Sequence, residues 1–375
     1  MKIAYISAFY PFRGGIAQFN AGLFRALEKR HEVQAYTFSR QYPDFLFPGK
    51  TQFVNPDDKA DKIPAKRVLD SINPISYIQT ANEIKKFNPD LVMSKYWMPF
   101  VAPSMGWVMK SLKKNAKIIS VLGNVNPHEK LPGAVALTKF FLNQNDGFIA
   151  LCEAVKNELL EFVPNAKYKS HFHPAYIHFG NKIDKNEARK TLNIPQNKKV
   201  MLYFGFIRKY KGFDLLLEAM ANLGDEYHLL VAGESYEEWK FYQDIIDKHN
   251  LSSKLSLFTR YVSDDEVATF FSASDVCLLP YRTATQSGIA ATAFNFEVPL
   301  IATEVGGLAE IIEPYNTGIV INEPEPQKIH DAIIRFFSNP KEDYYRKNII
   351  AFNKQFSWDT LASLVEDFYL EMKSR

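Results

Sequence analysis

The sequence predicts an α/β protein of two domains, each a parallel sheet covered by helices, and three observations carry the prediction. The chain has 375 residues, more than one hydrophobic core ordinarily serves, and roughly 150 residues per domain is the usual prior. Short, near-continuous apolar runs alternate with segments of helical period along most of the chain, the pattern of βαβ units. The second half then repeats the succession of the first. Apolar residues make up 46% of the chain and charged residues 23%, which excludes disordered and fibrous classes.

Residues 2–10 read as a first buried strand, broken by Pro11 and too short for a signal-peptide core. Arg13-Gly14-Gly15 then turns the chain into a helix at 17–29. Strands follow at 32–38, 91–94, 117–122 and 147–151, with helices at 75–87 and 103–114. Val163-Pro164-Asn165 opens a segment that carries His171, His173 and His178, and a linker near 179–184 closes a first domain of residues 1–180. Strands at 200–204, 228–232, 255–258, 276–279 and 300–302 build a second domain, 181–355. In the tail, 356–375, Trp358, Leu361, Leu364, Phe368 and Leu370 recur at helical spacing, which predicts a helix joined to the first domain.

The net charge of +3 is small for this length and argues against nucleic acid as a partner. No stretch reaches the ~18 apolar residues that span a bilayer. The two cysteines, Cys152 and Cys277, stand in apolar contexts without metal-type spacing, which fits a cytoplasmic protein. The three histidines in 171–178 fit a connecting segment better than a metal site, so no metal and no cofactor are expected. The basic stretch Lys110, Lys113, Lys114 and Lys117, beside Trp107 and Val108, has two readings: a solvated helix face, which the pattern favours, and peripheral contact with an anionic inner membrane face.

Ligands of open parallel sheets bind beyond the C-terminal ends of the strands, and three loops meet that condition. After the strand at 200–204, Gly205 to Gly212 carries Arg208, Lys209 and Lys211, cations able to neutralise a diphosphate, though a solvated basic turn has the same composition. After the strand at 276–279, Thr285-Gln286-Ser287-Gly288-Ile289 opens a helix whose first N–H groups suit phosphate; Ser287 also reads as a plain N-cap. After the strand at 300–302, Gly306 and Gly307 permit a tight turn ahead of Glu310. Their convergence on one sheet edge says more than any loop alone.

Taken together, the Lys211 loop, the Ser287-Gly288 loop and the turn from Gly306-Gly307 to Glu310 resemble the donor site of family 4 glycosyltransferases, in a bacterial Thr-Gln-Ser-Gly variant. Gly14-Gly15, Asn124-Val-Asn-Pro-His-Glu129, His173-Pro174 and Leu192-Asn-Ile-Pro195 extend the resemblance over nearly the whole chain. It implies the GT-B fold, two facing Rossmann-like domains with a donor cleft between them. It also implies a retaining transfer of sugar from a nucleotide-diphosphate sugar to a saccharide or lipid-linked acceptor, in surface polysaccharide or glycolipid assembly. Carried over by position, Lys211 and Arg208 bind the donor diphosphate, with Arg208 standing in for an arginine that the family places where Phe206 is. Ser287, Gly288 and Ile289 contact phosphate or sugar, and Tyr261 and Val262 hold the base.

The chain departs from the family at three places. Ala284 and Thr292 occupy the positions of two glutamates eight residues apart, so Thr285, Gln286 and Thr292 become the candidates for donor sugar and ribose. Gly123 occupies the position of a histidine, which leaves His128 as the catalytic candidate and Glu129 as a weaker one. Two rival readings follow from these gaps: a nucleotide-sugar epimerase of the same fold, and a non-catalytic partner subunit that binds the nucleotide.

Overall fold

In the computed structural model, the structure describes residues 1–43, 51–54, 60–125, 133–338 and 341–374. The contacts divide the chain into two units, Met1–Pro174 with Phe356–Arg375, and Ala175–Gln355. Residues 175–180, expected with the first domain, belong to the second unit, because Tyr176 donates its backbone N–H to Ala291.

The first unit runs β1 (Lys2–Ile6), α1 (Gly15–Glu28), β2 (Glu32–Arg40), β3 (Ala65–Asp70), α2 (Pro74–Phe87), β4 (Leu91–Tyr96), α3 (Ala102–Leu112), β5 (Lys117–Leu122), α4 (Ala134–Leu142), β6 (Gly147–Ala150), α5 (Glu153–Phe162) and β7 (Tyr168–Ser170). Its strands lie in the order β3-β2-β1-β4-β5-β6-β7, and every pairing is parallel. Ile3, Ala4, Tyr5 and Ile6 alternate between two covered faces and are all fully buried, which is why β1 reads as an unbroken apolar run. The C-terminal helix, Trp358–Lys373, packs here through Trp358, Leu361, Val365, Phe368 and Met372. Gly22 leaves room for the Trp358 ring, since a Cβ there would lie 2.7 Å from it. Leu370, expected on the packed side, is exposed.

The second unit runs α6 (Lys185–Thr191), β8 (Lys199–Phe204), α7 (Phe213–Met220), β9 (Tyr227–Ala232), α8 (Trp239–Lys248), β10 (Leu255–Phe258), α9 (Asp264–Ser272), β11 (Val276–Leu279), α10 (Gly288–Asn295), β12 (Leu300–Thr303), α11 (Leu308–Ile312), β13 (Gly318–Ile321), α12 (Pro326–Ser338) and α13 (Glu342–Gln355). The order β10-β9-β8-β11-β12-β13 is again parallel throughout. A buried ion pair anchors α6 to this sheet. Arg189 donates to Asp275 at 2.9 Å and to the carbonyls of Ala273, Gln196 and Lys198, while Asp275 also accepts the Val200 N–H and the Lys185 amine. With its hydrogen-bonding capacity this fully used, the pair is tolerable in the interior.

In each sheet the strand order reverses direction once, between β1 and β4 in the first unit and between β8 and β11 in the second. Beyond the C-terminal ends of strands at such a reversal, neighbouring loops diverge and leave a crevice.

Candidate functional site

In the second unit, the loops after β8 and β11 flank the reversal, and backbone contacts clamp them together. Gly212 has φ +68°, and a Cβ there would collide with the Pro280 carbonyl, so this close approach requires glycine. Arg282 donates its backbone N–H to the Tyr210 carbonyl and its guanidinium to the Lys209 carbonyl and, bidentately, to Asp214 at 2.8 and 2.6 Å. Arg282 is thus a cation of the second loop that its own partner neutralises, and it serves as a brace between the loops.

Lys211 is different. It is 8% exposed, and no carboxylate or hydrogen-bond acceptor among the described residues meets its amine. The amine lies beside Gly205 and Ile289, and 5.7 Å from the centre of the Tyr281 ring. Burial, with the charge of Arg208 added, lowers its pKa to about 8. Arg208 itself is half-buried and lies over the Tyr236 ring at 4.8 Å, with Phe206 edge-on to the same ring. The structure therefore places Arg208 close enough to act on Lys211 electrostatically.

The other predicted residues gather at the start of α10. Ser287 is its N-cap: Oγ accepts from the Ala290 N–H at 3.3 Å and meets the Tyr281 hydroxyl at 3.4 Å. A helix leaves its first N–H groups without intrahelical acceptors, and once Ala290 is capped those of Gly288 and Ile289 have none among the described residues. The α10 N-terminus therefore offers two N–H donors and the positive end of the helix dipole beside Lys211. Tyr176 packs on this turn, 3.5 Å from where a Gly288 Cβ would be.

The third loop joins through its backbone. Gly307 N–H donates to the Thr285 carbonyl at 2.8 Å, and Thr303 Oγ1 donates to the Tyr281 carbonyl at 2.6 Å. Gly306, at φ +55°, has no room for a Cβ against the carbonyls of Ala284 and Thr285. Thr285 is buried and Gln286 half-buried in the loop held this way. Thr292 is not presented to this loop: it is 3% exposed, and its hydroxyl donates to the Gly288 carbonyl one turn back, at 2.9 Å. Tyr261 and Val262 follow β10 at the same sheet edge. Arg260 occupies the Tyr261 carbonyl at 2.9 Å and pairs with Glu266, whose pKa is drawn down to about 2, chiefly by that hydrogen bond.

In the first unit, Gly14 has φ +100° and Gly15 begins α1. His128 and Glu129 lie outside the described residues. Gly123 directly follows β5, and the space beside it holds an amine from β4: a Cβ there would lie 3.5 Å from Lys95 Cε and 3.8 Å from Lys95 Nζ. Lys95 is 4% exposed, its amine is 3.2 Å from the centre of the Phe19 ring, and burial lowers its pKa to about 7. The sequence pattern ends this strand at Ser94 and passes over Lys95. The only available signal was a lysine flanked on both sides by strand-forming residues.

His171 and His173 are engaged by the backbone. Their Nδ1 atoms pair with the carbonyls of Phe172 and Pro174 at 2.5 and 2.7 Å. On α3, Trp107 and Lys110 are exposed, with the amine 5.0 Å from the ring centre, whereas Val108 is fully buried. Among the described residues, no helix is long and apolar enough to cross a membrane.

Residues 184–355 match the family described as glycosyl transferases group 1. That segment is a group 1 glycosyltransferase domain, and the chain that carries it is a glycosyltransferase. An uncharacterized glycosyltransferase of Methanocaldococcus jannaschii is 25% identical over 99% of this chain and 99% of its own length. Among solved structures, sucrose-phosphate synthase from Thermosynechococcus elongatus is similar at a TM-score of 0.76 and 19% identity, over 100% of each chain. Anabaena HepE, solved in complex with UDP, is similar at 0.73 and 14% identity, over 98% of this glycosyltransferase and 99% of HepE. These likenesses bear out the two-sheet α/β fold of the GT-B class.

Proposed function

We propose that this glycosyltransferase is a retaining enzyme of family 4. It takes its sugar from a nucleotide-diphosphate sugar and passes it to a saccharide or lipid-linked acceptor in surface polysaccharide or glycolipid assembly on the cytoplasmic side of the membrane. One observation carries the donor assignment: Lys211 is buried without a counter-ion beside the open N–H groups of Gly288 and Ile289. A diphosphate supplies the negative charge that this corner lacks, and the UDP bound by HepE supports that reading.

As the glycosidic bond to the diphosphate breaks, charge builds on the leaving oxygens. Lys211, with Arg208 beside it, stabilises that charge, and fixed donors do so without reorganising. The same two cations and the α10 N-terminus make a metal unnecessary for departure. Retention follows from attack by the acceptor hydroxyl on the face the diphosphate leaves, with a phosphate oxygen taking the proton; no glycosidase-type carboxylate pair is needed.

A thermal-shift screen of nucleotide-diphosphate sugars, followed by NMR of the product anomer, tests the reading. A ligand that binds only the folded state raises apparent stability. The expected result is one stabilising donor class and a product with the donor's anomeric configuration. An inverted product overturns retention, and an isomerised donor sugar formed without acceptor overturns transfer.

The exposed Trp107 and Lys110 on α3 support peripheral contact with an anionic membrane. Co-sedimentation with phosphatidylglycerol vesicles that falls in Trp107→Ser is the expected result; equal sedimentation of variant and parent contradicts the contact.

A further inference from the structure

Among the described residues, two lysines are buried, Lys95 and Lys211. Each lies at the strand-order reversal of its own sheet. Lys211 follows β8 at the reversal between β8 and β11, and Lys95 is the penultimate residue of β4 at the reversal between β1 and β4. Neither amine meets a carboxylate among the described residues. The buried cation Arg189 shows how this protein treats an interior charge that only holds the fold, giving it a carboxylate and three carbonyls.

Among the described residues, no carboxylate pairs with Lys95. The Phe19 ring lies under the amine, Gly123 leaves space beside it, and His173 packs edge-on to the same Phe19 ring, with centroids 5.0 Å apart. His173 is a neutral imidazole, its pKa driven down to about 3 by burial first and the Lys95 charge second, with Nδ1 paired to the Pro174 carbonyl. A ring face compensates a desolvated ammonium only in part, and an unpaired buried charge is costly. Among the described residues, the fold therefore leaves a buried amine without a counter-charge where ligands of parallel sheets bind.

We propose that Lys95 is an anion-binding residue of the first unit, and that the sugar acceptor carries a phosphate or carboxylate group that pairs with it. The acceptor assignment rests on the transferase reading above, whereas the anion site rests on the Lys95 geometry alone. Pairing would supply the carboxylate or phosphate oxygens that the buried amine lacks, and the Phe19 ring and the Gly123 gap fix where they must lie. An acceptor bearing such a group is then preferred over its neutral analogue.

The test uses the full chain labelled with [ε-13C]lysine, with inorganic phosphate and acetate as separate probes. The Lys95 resonance is assigned by its loss in both Lys95→Met and Lys95→Arg. A saturable shift of that resonance with phosphate or with acetate, kept in Lys211→Ala, is the expected result, and the probe that binds at least about tenfold tighter names the anion class. A Lys95 resonance no more responsive than those of surface lysines overturns the site. A silent Lys95 in a protein that still binds a nucleoside diphosphate overturns the anion site alone. A responsive Lys95 in a protein that binds no nucleoside diphosphate overturns the donor reading and leaves the anion site standing.

Discussion

Gly205 and Lys211 share one space: a Cβ built on Gly205 would lie 3.2 Å from Lys211 Nζ and 3.2 Å from Cδ1 of Ile289. The backbone at Gly205 has φ +94°, which a side chain strains. The residue therefore admits both a conformation and a neighbour that alanine would displace.

Gly205→Ala is accordingly expected to weaken nucleoside diphosphate binding by about tenfold or more, while the nucleoside binds as before. Isothermal titration of both ligands checks this. Undiminished diphosphate affinity in a folded variant counts against Lys211 as the phosphate ligand.

Lys211 also sets a pH signature. Its pKa is about 8 in the folded chain against an ordinary 10.5, so between these values the unfolded chain holds more protons, and stability rises with pH across that window. Below pH 8 the cost of the buried charge is present in full. Lys211→Met removes it, so the variant is expected to be more stable than the parent at pH 7 by roughly 1–3 kcal/mol, with the advantage shrinking towards pH 10. Urea unfolding at both pH values measures the difference. A variant less stable at pH 7, or an advantage that does not change with pH, contradicts this account of Lys211.

Thr292 is placed to hold its helix. Its hydroxyl donates to the Gly288 carbonyl and is buried, so Thr292→Val should change donor affinity by less than about threefold and cost about 1 kcal/mol of stability. A donor KM raised by tenfold or more would restore Thr292 to the ribose site and require α10 to move on binding.

The central strands were legible because burial on both faces leaves unbroken apolar runs: 117–122 and 276–279 are observed as expected, as is the half-buried edge strand 255–258, and others differ by a few residues at their ends. The edge strands β3, Ala65–Asp70, and β7, Tyr168–Ser170, were not, because each has a solvated side and carries Lys66, Arg67 or Lys169 where an apolar run was sought. The glycine-bearing loops of the second unit were legible for a similar reason, since Gly212 and Gly306 mark backbone approaches that no other residue allows. Lys95 and the Arg282–Asp214 brace were not. A lysine inside a strand reads as its end, and an arginine in a loop reads as a free cation, until the tertiary structure supplies the Phe19 ring in one case and the carboxylate in the other.

The most direct test of the donor site compares Lys211→Ala with the parent by titration with a nucleoside diphosphate and with its nucleoside. Lys211 meets the ligand only through phosphate in this account, so the variant should lose at least about tenfold in diphosphate affinity and nothing in nucleoside affinity. Equal diphosphate affinities in variant and parent would contradict it.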